Sequence, residues 1–142
     1  MGRFTALAAA MLCAIGTIAC GSSILSQIPT APASTPTTST FTGTLTTNGG
    51  SSFAFNAVAA GPVKATLTDV AGGIAIGFSL GTWDGTTCHL VMANDAAVPG
   101  AVLSGNASSP GSYCARIYDP SPSTVTADTA FTMTVQYPGP KT

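Results

Sequence analysis

Residues 74–80, Ile74-Ala75-Ile76-Gly77-Phe78-Ser79-Leu80, carry the clearest strand pattern in the sequence. Large apolar side chains stand at every second position, with small ones between them. Successive side chains of an extended strand point to opposite faces, so this alternation predicts a strand with one buried face.

The same two-residue period recurs in seven further segments, separated by turns rich in Gly, Pro, Asn and Asp. The eight predicted strands are 40–46, 53–57, 63–68, 74–80, 87–93, 101–104, 112–119 and 131–137. Short strands at roughly 10–12-residue intervals are typical of an all-β, antiparallel sandwich. We therefore predict a jelly-roll-like β-sandwich over residues 41–138 and a short tail over 139–142.

Charged residues are scarce in this chain. They make up 6% of the 142 residues, and the formal net charge is -1. Helical bundles and coiled coils need many Glu, Lys and Arg residues, and glutamate is absent from this sequence. A nucleic-acid-binding surface needs a basic stripe, which four Lys and Arg residues cannot form. The composition therefore excludes both classes, and nucleic acid is not an expected partner.

The N terminus has the pattern of an export signal. Arg3 precedes an apolar run over residues 4–19, which is shorter than the roughly 20 residues of a membrane-spanning helix. The run ends in Thr17-Ile18-Ala19-Cys20-Gly21. This resembles the bacterial lipoprotein signal, in which the cysteine becomes lipid-modified and then the new N terminus. We predict a signal peptide over residues 1–19 and lipidation of Cys20, with an ordinary secretory signal as the alternative.

Residues 20–40 have the composition of a tether. They are rich in Ser and Thr and contain three prolines, which disfavour both helix and strand. A flexible tether of this kind would hold the following domain off a bacterial membrane. We therefore expect an exported lipoprotein at the outer membrane or cell surface, or a secreted protein if Cys20 carries no lipid.

The remaining cysteines predict a disulfide. Cys13 would leave with the signal and Cys20 would carry lipid, so Cys88 and Cys114 are left as a pair. An oxidising compartment favours a disulfide between them, and closing a loop of about 26 residues is worth roughly 3–4 kcal/mol. A metal site is the weaker alternative, because the chain has one histidine and no CxxC spacing.

The faces of the two cysteine strands conflict. Simple alternation places Cys88 beside Met92 on a core-like face, but Cys114 beside Arg116 on an exposed one. The pair therefore requires a β-bulge, a position at a sheet edge, or a position between the layers.

The order of the predicted strands resembles the bacterial pre-peptidase C-terminal (PPC) domain, a small jelly-roll-like β-sandwich. The resemblance covers about residues 40–137. It is carried by FTGTL (41–45), SFAF (52–55), GPVKATLT (61–68), GSYCARIY (111–118) and AFTMTV (130–135). It implies a non-catalytic extracytoplasmic module of the kind that accompanies secreted proteases. The family's middle strand is rich in aspartate, whereas residues 71–80 contain no acid, which counts against a calcium role.

One motif has the form of a catalytic signature. Residues 77–81 match the G-x-S-x-G pattern around Ser79, which works by exposing the serine on a turn between a strand and a helix. Here Ser79 lies within an alternating strand, and the sole histidine, His89, follows in a neighbouring strand. We therefore predict no enzyme, and a small serine hydrolase using Ser79 is the least favoured alternative.

Two further groups are candidate binding sites. Asp84, Asn94 and Asp95 could supply oxygen ligands to calcium, although aspartates in turns usually bond nearby backbone amides. No other cofactor is expected. Trp83, Tyr113 and Tyr118 form a candidate aromatic patch for a carbohydrate, peptide or protein ligand, unless Trp83 caps the end of the core. The expected function is a binding or structural surface module.

Overall fold

The computed structural model describes residues 34–122 and 124–140, and this part of the chain forms eight β-strands. A single 3-10 turn, Ala71–Gly73, is its only helical segment. The strands are β1 (Thr35–Leu45), β2 (Gly50–Ala57), β3 (Gly61–Val70), β4 (Ile76–Trp83), β5 (Cys88–Ala97), β6 (Val102–Ala107), β7 (Gly111–Tyr118) and β8 (Thr129–Gly139).

The strands form two four-stranded sheets that pack face to face. One sheet has the order β1-β8-β3-β6 and the other the order β2-β7-β4-β5. Neighbouring strands are antiparallel throughout both sheets. The predicted eight-stranded antiparallel β-sandwich is confirmed.

The core lies between the inner faces of the two sheets. Ile76, Phe78 and Leu80 of β4 are at most 5% exposed, so the alternation of this segment does mark a buried face. Phe131 from the opposite sheet packs edge-on against Phe53, with ring centroids 5.9 Å apart. Other buried core residues include Leu45, Phe55, Val63, Leu67, Ala115, Ile117, Met133 and Val135.

Strand β1 begins earlier than the sequence indicates. It starts at Thr35, inside the segment expected to be tether, and pairs with β8 from Thr35↔Gly139 onward. Pro36 is tolerated because β1 is an edge strand, where a missing backbone N–H costs no ladder hydrogen bond on the open side. Gly139 belongs to β8 and not to the expected tail.

Strand β4 is buried on both faces. Gly77, Ser79 and Gly81, which point away from the core, are as buried as the apolar residues between them. The ring of Tyr118 lies over Gly77 at a distance that leaves no room for a Cβ atom. At Gly81, a Cβ atom would come within 2.7 Å of the carbonyl carbon of His89. The small residues of this face therefore let neighbouring groups close over the strand.

A β-bulge settles the conflict between the cysteine faces. Leu80 pairs with Met92 and Gly81 pairs with Leu90, so Val91 is an extra residue in β5. Directly opposed residues share a face, which places Met92 toward the core and Leu90 on the outer face.

The Cys88–Cys114 disulfide lies on that outer face, where it joins β5 to β7 across β4, with Cα atoms 5.8 Å apart. The two cysteines are 5% and 0% exposed. The predicted disulfide is confirmed, and the bulge is the arrangement that makes it compatible with both strands.

Candidate functional site

An open cleft lies where the edge strands β5 and β6 face each other; we call it the inter-sheet cleft. Its volume is about 230 Å³. Strands β2, β3, β4 and β7 complete its walls. The lining residues are Phe55, Val63, Leu80, Gly81, Thr82, Val91, Met92, Gly105, Asn106, Ser108 and Tyr113. None of them is charged, so the cleft presents a neutral and largely apolar surface.

Aromatic rings and a methionine shape the walls of the inter-sheet cleft. The rings of Phe55 and Tyr113 are stacked, with centroids 6.1 Å apart. The Tyr113 hydroxyl donates a hydrogen bond of 2.8 Å to the carbonyl oxygen of Ser109. Met92 reaches across from β5, and its Cε atom would lie 3.2 Å from a Cβ atom at Gly105 of β6. At this edge, the contact between the two sheets is therefore made by the Met92 side chain of β5 and Gly105 of β6.

One exposed apolar residue lies at the inter-sheet cleft. Among the residues that the structure describes, the exposed large apolar side chains are Val58, Leu90, Val91, Val98 and Val102, and of these only Val91 lines the cleft. Val91, the bulge residue, is 72% exposed. The bulge thus displays an apolar side chain at the mouth of the cavity.

The predicted aromatic patch is not assembled. Tyr113 and Tyr118 are five residues apart on β7, so their side chains point to opposite faces. Tyr113 is in the inter-sheet cleft, whereas Tyr118 lies on the outer face. Trp83 pairs with Cys88 at the far end of β4 from Gly77, the partner of Tyr118. Of the three predicted residues, one lines the cleft.

Tyr118 takes part in a contact that spans three strands. Its ring crosses β4 at Gly77, and its hydroxyl donates a hydrogen bond to the Asp95 carboxylate on β5. The guanidinium of Arg116 lies 5.9 Å from the ring centroid. Desolvation, followed by the hydrogen bond and the negative charge of Asp95, raises the pKa of Tyr118 to about 12. Asp95 therefore acts as a structural acceptor.

Ser79 and His89 do not form a catalytic pair. Ser79 is fully buried, and its hydroxyl donates to the Arg116 carbonyl oxygen at 3.4 Å. His89 is 61% exposed, and its Nε2 atom lies 2.7 Å from Oδ2 of Asp84. A reagent in solvent reaches the histidine but not the serine, so this geometry gives the G-x-S-x-G motif no nucleophile.

Asp84 organises the turn between β4 and β5. Its Oδ1 atom accepts hydrogen bonds from the backbone N–H groups of Thr86 and Thr87, at 2.8 and 2.7 Å. The bond from Thr87, then the His89 side chain and the Thr86 bond, lower the pKa of Asp84 to about 2. The carboxylate is thus committed to the turn.

The candidate calcium ligands are separated. Asp84 follows the end of β4 that pairs with Cys88, whereas Asn94 pairs with Phe78 near the other end. The Asn94 side chain accepts a bond from the N–H of Ala96, and Asp95 accepts from Tyr118. Within residues 34–122 and 124–140, no three His, Cys, Asp or Glu side chains are grouped to hold a metal ion.

The inter-sheet cleft could not be predicted from the sequence. The sequence places Tyr113 in a different surface, the predicted aromatic patch with Trp83 and Tyr118. A cleft between layers depends on which edge strands face each other, and strand periodicity carries no information on that pairing. The bulge at Val91 is likewise visible only from the register of β4 against β5.

The export features fall outside this region. Cys20, the predicted signal peptide and residues 20–33 of the expected tether lie outside the residues that the structure describes. In the described part of the chain, no helix is long and apolar enough to cross a membrane.

Comparison with known proteins identifies the fold. No protein-family model matches the chain, and no curated protein matches it. The pre-peptidase C-terminal domain of a collagenase from Bacillus anthracis is similar in structure, with a TM-score of 0.50 and 19% identity over 68% of this chain and 87% of that one. The Yersinia pseudotuberculosis-derived mitogen is also similar, with a TM-score of 0.56 and 17% identity over 76% and 92% of the two chains. The predicted PPC-like β-sandwich is confirmed as the fold.

Proposed function

We propose that this protein is an exported, non-catalytic β-sandwich module, anchored through lipidated Cys20, that binds a ligand in the inter-sheet cleft. The observation that carries the binding role is the cleft itself, an open and uncharged cavity of about 230 Å³. Concave sites with mostly apolar walls and few polar groups are the usual form of a ligand site.

The positions of the side chains that could act as a nucleophile, acid or base support a role without catalysis. Ser79 is buried, Asp84 is committed to a turn, and Asp95 accepts a bond from Tyr118. None of the three lines the inter-sheet cleft. A general acid or base must lie within hydrogen-bond reach of the reacting group, so these side chains are poorly placed to act on a molecule held there.

The sequence and the fold support export. The buried Cys88–Cys114 disulfide suits an oxidising compartment. The bacterial collagenase with the similar domain fits an extracytoplasmic setting. The alternative is a secreted module without an anchor, which has the same sandwich and the same cleft.

Metabolic labelling tests the anchor. Cells that express the full chain with a fatty-acid analogue should label the wild-type protein and the Cys13→Ala variant, but not Cys20→Ala. Cys13→Ala is the matched control because it removes a cysteine from the predicted signal peptide. A wild-type protein without label, released into the medium, would support the secreted alternative, and equal labelling of Cys20→Ala would refute Cys20 as the site.

A fluorophosphonate probe, which reacts with activated serines, tests the absence of catalysis. The purified protein should remain unlabelled in its native state. Labelling that disappears in Ser79→Ala would contradict the proposed role and favour a hydrolase.

A further inference from the structure

We propose that the ligand of the inter-sheet cleft is an uncharged, planar aromatic molecule of two fused rings that carries one N–H or O–H donor. This inference rests on the proposed binding function and specifies the ligand class.

The size of the cavity sets the size of the ligand. Its volume is about 230 Å³. An apolar cavity of roughly 150 Å³ holds benzene, so the inter-sheet cleft has room for one further ring. A flexible chain of similar volume would lose more conformational entropy on binding than a rigid ring system.

The walls favour a flat aromatic molecule. Phe55 and Tyr113 contribute aromatic rings to the lining, and aromatic pairs gain stabilisation beyond the area they bury. The Met92 thioether on β5 is a polarisable partner for an aromatic ring. Gly105 has no side chain toward the cleft, which leaves a flat surface on β6.

The lining of the inter-sheet cleft favours a neutral ligand and offers a hydrogen-bond acceptor to it. No charged side chain lines the cavity, so an ionised ligand would lose hydration without a compensating partner. The Tyr113 hydroxyl uses its hydrogen in the bond to Ser109, and its oxygen keeps lone pairs that accept a bond. A ligand N–H or O–H therefore has an acceptor in the wall.

Indole has the proposed size and donor, and nuclear magnetic resonance (NMR) titration of the full ¹⁵N-labelled chain tests the proposal. We expect saturable shifts of the Gly81 and Gly105 amide signals, with a Kd on the order of 0.1–1 mM for a ligand of this size. Indole-3-carboxylate should bind at least about ten-fold more weakly because it carries a charge. Shifts that stay linear with concentration, or that map to the outer face, would overturn the proposal.

A variant that fills the inter-sheet cleft, compared with a control variant on the same strand, tests the location of the site. Gly105→Val adds a side chain where a Cβ atom already lies 3.2 Å from Met92, and it should weaken indole binding by about ten-fold or more. Ser104→Val adds the same side chain on the same strand but on the outer face, where Ser104 pairs with the exposed Lys64, and should bind as wild type. Wild-type affinity in a folded Gly105→Val variant would refute the site.

Tyr113→Phe keeps the test decisive if Gly105→Val fails to fold. It should weaken indole several-fold and leave naphthalene, which has no donor, unchanged. Unchanged indole affinity would refute the donor requirement. The lipid anchor is tested separately by metabolic labelling. If Cys20 is labelled but indole does not bind, only the proposed ligand class is refuted. If indole binds but Cys20 is not labelled, only the proposed anchor is refuted.

Discussion

Single glycines permit the close approach of strands in this sandwich. Gly81 of β4 faces both Leu90 of β5 and Cys114 of β7. A Cβ atom at this position would meet the backbone of His89, which has no freedom to rotate away. A sequence alone gives no reason to distinguish this glycine from the others, because the need for it arises from the bulged register.

Replacing Gly81 by alanine should therefore destabilise the fold. We expect Gly81→Ala to lower the free energy of unfolding by about 1–3 kcal/mol, the usual range for overpacking. Gly111→Ala is the control, because its nearest neighbour would be 3.9 Å away, and its effect should stay within about 0.5 kcal/mol. Urea unfolding followed by circular dichroism measures both, and equal stabilities would contradict the account.

The hydrogen bonds to Asp84 predict how the stability of the folded state depends on pH. Its pKa of about 2 lies below the usual value of 3.8, so the carboxylate stabilises the folded state fully above pH about 4 and loses this effect as the pH falls through about 2. Carboxyl ¹³C NMR should show the Asp84 midpoint near 2. In His89→Ala, which removes the contact between the imidazole and the carboxylate, the midpoint should move upward. A wild-type midpoint near 4 would contradict these hydrogen bonds.

At the scale of elements, the outer face of β4 is closed by groups from its neighbours. Tyr118 of β7 crosses the strand at Gly77 to reach Asp95 of β5, and the disulfide crosses it near Gly81. Both crossings use positions where β4 has no side chain. The strand is thus held at both ends of its outer face.

Tyr118 should ionise at a higher pH than an ordinary tyrosine. Its pKa of about 12 lies above the usual 10, so its stabilising contribution is complete below pH 10 and is lost as the pH rises through about 12. An absorbance titration at high pH should show a tyrosine step near 12 that is absent in Tyr118→Phe. Persistence of that step in the variant would assign it to another tyrosine and contradict the Asp95 contact.

The strands themselves could be predicted from sequence, but their ends and register could not. Period-two alternation marks residues such as Ile76 and Phe78 because it follows directly from strand geometry. The start of β1 at Thr35 depends on pairing with β8, which overrides the strand-breaking tendency of Pro36. The extra residue Val91 depends on a partner strand and has no local signature.

At the scale of the whole molecule, the disulfide supplements a small core. It closes a loop between residues 26 positions apart and joins an edge strand to the interior of its sheet. A sandwich of about 100 residues buries a limited core, so a covalent link contributes a large share of its stability.

Removing the disulfide should lower the melting temperature. The double variant Cys88→Ala/Cys114→Ala should melt on the order of 10 °C below wild type. Reductant should lower the melting temperature of the wild-type protein and leave the double variant unchanged. Similar melting of the two proteins without reductant would contradict a stabilising role.

The candidate site was less predictable than the fold. The sequence identifies Tyr113 as an aromatic residue near a turn, and an odd separation already places it on the face opposite Tyr118. The inter-sheet cleft requires β5 and β6 to face each other and Met92 to turn inward at the bulge. These are properties of the assembled layers, which no single segment encodes.

Intact-mass spectrometry of the mature protein from bacterial membranes tests whether it is the proposed lipid-anchored, disulfide-linked and exported module. We expect a chain that begins at Cys20, carries the added mass of lipid, and gains two hydrogens on reduction of Cys88–Cys114. A chain that begins elsewhere without lipid, or whose mass does not change on reduction, would contradict it.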